Sequence, residues 1–245
     1  MKKFSLLRFI LIATTVSVVF IHGEAAAQSR GDCPQAFQGF SLGGNIGYGI
    51  GWTKHQFRWH QGGFNASSNL AVKGVDGGLG VGYTSRFGTW ALGLGFDANW
   101  SGADGKSKVA FPQFFGQPTH ANASVRLKNS LQLYGKLGYV IREIVQPFIA
   151  LGWDNSQWKE RASINLGSLF SASAERSKRL NGFMWKVGMD VLATQCIVFG
   201  FEYTGTITRR QKFNVTREIF GQPQTFSGSF RPQYNKFALT AKIIY

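Results

Sequence analysis

Three histidines, His55, His60 and His120, are the side chains best suited to hold a metal ion or haem, and the first two stand five residues apart beside Trp59. No cluster of Cys, Asp or Glu lies near them to complete a ligand set. A serine nucleophile would need a base and an orienting group converging on one point. His55 or His120 offers the base, but carboxylates are scarce in the stretches that carry them. Catalytic, cofactor and metal sites are therefore not expected, and the chain reads as non-enzymatic.

A second set of reactive residues is ordered differently. Asp76, Asp97, Asp154, Asp190 and Glu202, with Lys136, Lys186, Lys236 and Lys242, each sit in an alternating run with an apolar residue on at least one side. Opposite charges on one face of alternating strands predict an ion-paired interior. Removing one partner of such a buried pair costs about 3–5 kcal/mol, so these groups are expected to hold shape rather than perform chemistry.

The elements that must place them follow from the alternation. From Phe40 to Trp52, large apolar residues (Phe40, Leu42, Ile46, Tyr48, Ile50, Trp52) alternate with Ser, Gly and Asn. Similar runs start near Val75, Trp90, Leu127, Pro147, Phe183, Ile197 and Phe237. In the fourth, Leu127, Leu131, Leu133, Leu137 and Tyr139 are expected outward and Lys128 inward. Short turns near residues 85–89, 142–143 and 194–196 alternate with long loops near 53–73, 101–126, 155–179 and 208–231. Strands whose chemistry changes at every residue, joined by connections of two lengths, predict an all-β, eight-stranded antiparallel transmembrane barrel with short periplasmic turns and four long extracellular loops. Ten rises at ~3.3 Å, tilted ~40°, project to roughly 25 Å, the height of an outer-membrane apolar band. An aromatic girdle is expected from Trp52, Trp100 and Trp153 at one rim and Phe40, Tyr83, Trp90, Tyr139 and Tyr245 at the other, with Tyr203 also counted in the girdle.

The N-terminus carries Lys2, Lys3 and Arg8, an apolar stretch from Phe9 to Ile21, and Ala25-Ala26-Ala27. That pattern predicts a cleaved secretory signal over 1–27, a periplasmic segment over 28–38 and the barrel over 39–245. The 31 glycines have no three-residue period, which excludes a collagen-like chain. Export exposes Cys33 and Cys196 to an oxidising compartment, both on the short-turn side. A disulfide between them and two unbonded thiols both remain open.

The runs Gly-Gly-Leu-Gly-Val-Gly-Tyr (77–83), Trp-Ala-Leu-Gly-Leu-Gly-Phe-Asp-Ala-Asn-Trp (90–100), Tyr-Gly-Lys-Leu-Gly-Tyr (134–139), Phe-Glu-Tyr (201–203) and the terminal aromatic strand carry a likeness. Over about residues 38–245 the chain resembles the eight-stranded outer-membrane β-barrel domain family, which includes the OmpA-type, OmpX-type and opacity-like surface barrels. These motifs specify scaffold rather than activity. Lys136 stands where that resemblance implies an arginine, and Gly95 where it implies an acid.

Charge then points to partners. Residues 1–27 hold three cations and one anion, leaving +13 of the chain's +15. Nearly all of it falls in the long loops, as Lys54, Arg58, Lys106, Lys108, Arg209, Arg210, Lys212 and Arg217 with their neighbours. Such a rim would face outer-membrane lipid and lipopolysaccharide phosphate, or a polyanionic or host-surface ligand. The cations are split among four loops without a stacking platform, so nucleic acid is not expected. The tetrad Phe-Gly-Gln-Pro recurs at 115–118 and 220–223, either as matched turns or as an apolar contact patch. Function divides between a plugged barrel that displays loops for envelope integrity or adhesion and a small pore weakly favouring anions. Haem or surface-ligand binding is a minor alternative.

Overall fold

The computed structural model describes residues 36–59, 64–114, 117–165, 171–219 and 222–245. The expected leader lies outside them. Ten strands follow in order: β1 (Gly39–Trp59), β2 (Phe64–Phe87), β3 (Trp90–Ser101), β4 (Asp104–Phe114), β5 (Gln117–Tyr139), β6 (Val145–Asn165), β7 (Ser171–Leu192), β8 (Ile197–Thr208), β9 (Gln211–Ile219) and β10 (Gln222–Ile244). All pair antiparallel, and β1 pairs with both β2 and β10, so the sheet closes on itself. At the seam Phe40 N donates to Tyr245 O at 3.0 Å and Tyr245 N to Phe40 O at 2.8 Å.

Eight of these form the wall, in the order β1, β2, β3, β5, β6, β7, β8, β10. β4 and β9 are upward continuations of β3 and β8, separated from them at Gly102–Ala103 and Arg209–Arg210 and paired with β5 and β10. An eight-stranded barrel is thus drawn from ten segments.

The alternation behaves as read over the apolar band. Leu79, Ile46, Trp90, Leu94, Leu151, Phe183, Phe199 and Leu239 are exposed on the outer face, while Asp76, Asp97, Asp154, Lys186 and Lys236 are buried on the inner one. Gly95 answers one local oddity, because a Cβ there would lie 2.5 Å from Tyr134 Cζ. The glycine makes room for an inward tyrosine ring.

Two expectations need correction. The long connections are built largely of strand rather than loop: β1 and β2 stay paired up to Trp59–Phe64, and β6 and β7 up to Asn165–Ser171. A stave of 21 residues such as β1 reaches roughly 50 Å at ~3.3 Å per residue and ~40° tilt, about twice the apolar band. The reason is a second core. Leu70, Val72, Ala103, Val125, Leu127, Trp158, Leu180, Phe230 and Tyr234 pack together inside the extension, which supplies the burial that paired hairpins need. Secondly, Leu127 points inward (4% exposed) and Lys128 outward, the reverse of the reading. A bulge between Leu127 and Asn129 inserts one residue against β6 and flips the side-chain parity above it.

Candidate functional site

The interior is stacked in layers. At the short-turn end Phe37, Ala91, Val140, Val198 and Ile244 form a small apolar cluster across the mouth. Phe37 reaches it with a positive φ of 64° in the segment before β1. Above it, a cavity of about 70 Å³ is lined by Ser41, Gly43, Gly80, Gly95, Tyr134 and Lys242, among others.

Next come the charges. Asp190 accepts from Lys136 Nζ at 2.6 Å and from Lys242 Nζ at 3.0 Å. Lys136 also donates to Gln146 Oε1 at 2.9 Å and lies 4.3 Å from the centre of the Phe148 ring. Lys186, fully buried on β7, pairs with Asp97 and, at 3.4 Å, with Glu202. Its ammonium sits 4.4 Å from the Tyr134 ring centre, and Tyr134 Oη donates to Asp97 at 3.2 Å. The two clusters place three cations among three anions, each within reach of its opposite.

The third group differs. Lys236 donates to the neutral amides Asn45 Oδ1 at 3.0 Å and Asn99 Oδ1 at 2.9 Å. Asp76 accepts from Tyr234 Oη at 2.5 Å and Asp154 from Gln132 Nε2 at 3.1 Å. Over this group lies the outer core. Trp158 is wedged edge-on between Phe230 and Tyr234, at 6.2 and 6.3 Å between ring centres, and donates Nε1–H to Ser156 Oγ at 2.9 Å.

The outer surface carries the remaining charge. Lys73, Asp104, Arg126 and Lys159 are successive cross-strand partners on β2, β4, β5 and β6. Lys54 and Arg231 are partners on β1 and β10. Lys54 is two residues above Trp52 on the same face, and Lys159 continues the face of Trp153. Arg179 donates to Asn155 Oδ1 at 2.8 Å and Asn129 Oδ1 at 3.3 Å, which fixes its guanidinium against the wall. Exposed Lys106, Lys128, Arg161, Arg209, Arg210 and Lys212 add to this collar. Glu175 opposes it locally: its bond from Lys159 Nζ, at 2.6 Å, holds its carboxyl below the usual range. Inside the mouth, burial pushes the Glu160 carboxyl up, against the opposing pull of Arg176 and Lys178.

At the short-turn end, Arg86 and Glu143 form a bidentate pair between the β2–β3 and β5–β6 turns. That hydrogen bonding lowers the Glu143 pKa and raises that of Arg86. Cys196, in the β7–β8 turn, is disulfide-bonded; Cys33, the other cysteine, lies outside the described residues.

A model of the outer membrane protein beta-barrel domain matches residues 13–230. The chain belongs to that family. As an outer-membrane barrel it is an integral protein of the bacterial outer membrane, with its apolar belt in lipid. No curated protein matches it. Among solved structures, it is similar to Neisserial surface protein A, at 11% identity over 85% of this chain and 98% of that one, with a TM-score of 0.40. OprG of Pseudomonas aeruginosa matches at 12% identity over 86% and 99%, TM-score 0.48. The outer membrane protease OmpT of Escherichia coli matches at 9% over 89% and 100%, TM-score 0.46.

One expected girdle residue lies elsewhere. Tyr203 sits midway along β8, between Trp185 and Phe237, rather than at a rim. Trp90 and Tyr139 pack edge to face at 5.1 Å near the short turns, with Tyr83 and Tyr245 also exposed at that end, and Trp52, Trp100 and Trp153 are exposed toward the other. The side chains of Arg58, Lys108, Arg217, His55, His60 and His120 fall outside the described set, as do parts of both Phe-Gly-Gln-Pro tetrads. Among the described residues no group of three His, Cys, Asp or Glu could hold a metal ion. Sequence reasoning put Asn45, Asn99, Gln132 and Tyr134 on the inner face by the same parity but assigned them no partners, and it passed over Gln146 and Tyr234, whose inward positions lie just outside the runs it read.

Proposed function

We propose that this barrel is a non-enzymatic surface anchor whose collar of outward cations grips the phosphorylated outer leaflet, with the lumen closed by its own side chains. The observation that carries the reading is the cross-strand run Lys73, Asp104, Arg126, Lys159, three cations to one acid, with Lys54 and Arg231 beyond, directly above the outer aromatics. Lateral, not apical, cations meet lipid headgroup phosphate before any soluble ligand. Their effect is electrostatic and falls with salt. The same surface would also retain a soluble polyanion or an acidic host surface, which makes adhesion the second use of one chemistry.

The test is retention of phosphorylated glycolipid by the purified protein. Arg126→Gln, Lys128→Gln and Lys159→Gln together should lower lipopolysaccharide retained through a detergent wash several-fold, and removing the lipid A phosphates should do the same to the unaltered protein. Equal retention by both would sink the reading. Binding of heparin-like polymer to the same variant separates the soluble-ligand use.

The competing reading, a narrow pore favouring anions, draws on the cavity of about 70 Å³ in the lower lumen. It is opposed by the Lys186 cluster and by Trp158 above it. Single-channel recording decides: a silent bilayer supports the plug, and stable conductance steps support the pore.

A further inference from the structure

Charge is uneven inside the apolar belt. Five described carboxylates, Asp76, Asp97, Asp154, Asp190 and Glu202, face four ammonium groups, Lys136, Lys186, Lys236 and Lys242. The Asp190 and Lys186 clusters take three of each between them. What remains is Asp76 and Asp154 with Lys236, and that lysine spends its hydrogen bonds on Asn45 and Asn99. Among the described residues neither acid lies in an ion pair, although Asp76 is 3% and Asp154 1% exposed.

Geometry singles out the same place. A cavity of about 20 Å³ beneath Trp158 is lined by Asp76, Asn99, Gln132, Asp154, Thr204 and Lys236 with neighbouring Ser and Thr side chains. Asp76 Oδ1, Asp154 Oδ2, Gln132 Oε1 and Thr204 Oγ1, four oxygens on four different strands, are buried there without a hydrogen-bond partner. Asn99 Nδ2 is the one buried unpartnered nitrogen among the lining residues. Buried polar atoms are nearly always satisfied, and a buried carboxylate without a counter-charge is among the costliest groups a protein can hold. Oxygen-only donors exclude the soft transition metals and suit hard cations. Two carboxylates less one ammonium leave a single unit of negative charge, which fits a monovalent ion, and the space holds about one water-sized sphere.

From this we infer that the upper lumen is a binding site for one sodium-sized monovalent cation, held by Asp76 Oδ1 and Asp154 Oδ2 with Gln132 Oε1 and Thr204 Oγ1. The ion completes the charge balance of the belt. It enters as the barrel closes, since Trp158, Leu127 and Tyr234 roof the site, and it fastens β2, β5, β6 and β8 across the lumen. This reading is independent of the cationic collar, and its test does not involve the outer surface.

The full chain is refolded from urea into zwitterionic detergent in sodium chloride or in choline chloride at matched ionic strength and neutral pH, and its thermal unfolding midpoint is followed. With free sodium roughly tenfold above its dissociation constant, the midpoint should rise by about 3–6 °C, saturably, over choline. Asp154→Asn, a neutral isostere, should abolish that difference while still folding, and Asp76→Asn serves if it does not. Crystals grown from protein refolded in a thallium(I) salt, a heavy monovalent substitute, should show an anomalous peak between Asp76 and Asp154. Identical midpoints in sodium and choline with no thallium peak would overturn the site. So would a choline-form midpoint that rises on acidification while sodium has no effect, because the occupant would then be a proton.

Discussion

The same strands run through two regions built on opposite plans. In the belt, β3 turns Leu94 and Trp100 outward and Asp97 inward; a few residues higher, β6 and β7 turn Lys159 and Arg179 outward and Trp158 and Leu180 inward. The belt is apolar outside and ionic inside, and the extension is polar outside and apolar inside. Solvent explains the inversion: hydrocarbon surrounds the first and water the second, so the hydrophobic effect acts on opposite faces of one continuous sheet. Stability in the belt depends on satisfying charges, while in the extension it depends on packing.

Mutations break this contrast in graded ways. Lys186→Met should have the largest effect, about 3–5 kcal/mol in urea unfolding, because Asp97 and Glu202 stay buried without their cation. Adding Asp97→Asn should recover part of the loss. Trp158→Ala should cost about 3 kcal/mol, the low end for such truncations because the hairpins above can close in, and limited proteolysis should cut the extension while sparing the belt. Loss of both regions together would deny that they are separate. Arginine at Leu94, on the lipid face, should cost about 2–4 kcal/mol, whereas leucine at Arg126, outward in the extension, should stay within about 0.5 kcal/mol.

The smallest effects concern pH outside the belt. Glu143 has its pKa lowered by Arg86, so its contribution to stability is present above the ordinary carboxylate range and fades as pH falls through its folded value. Glu143→Gln should flatten that acid-side slope in denaturant titrations. Glu160 runs the other way: with a raised pKa, its ionised form opposes folding above that value, so Glu160→Gln should slightly stabilise the protein at neutral pH and change nothing in strong acid. Mass analysis after alkylation should show Cys196 unmodified until reductant is added.

What the sequence showed follows the same division. Belt strands were readable because large apolar residues alternating with Gly, Asn and Asp leave a strong period of two. The extension was read as loop because its outward positions carry Lys, Arg and Asn while its inward ones, such as Leu70, Val72 and Leu180, are spaced among Ser, Ala and charged residues, which dilutes the same period. Leu127 was placed on the wrong face because a bulge of one residue leaves no mark in composition. The ionic residues were found from their inward parity, but their pairing was not, since Lys186 meets Asp97 from the far side of the barrel and no local spacing encodes that meeting.

The uneven continuity of the wall has a mechanical consequence. β1, β2, β5, β6, β7 and β10 pass unbroken from the inner turns to the outer hairpins, whereas β3 and β8 stop at the water line and hand over to β4 and β9. A tug on the β6–β7 arm therefore loads a single long ladder in shear, sharing force over many backbone bonds at once. The breaks at Gly102–Ala103 and Arg209–Arg210 are themselves tied to the wall, by Gly102 N–H to Val75 O, Leu127 N–H to Ala103 O and Arg209 N–H to Asn181 O, so β4 and β9 ride on β5 and β10 and pass any load to those long staves rather than to β3 and β8.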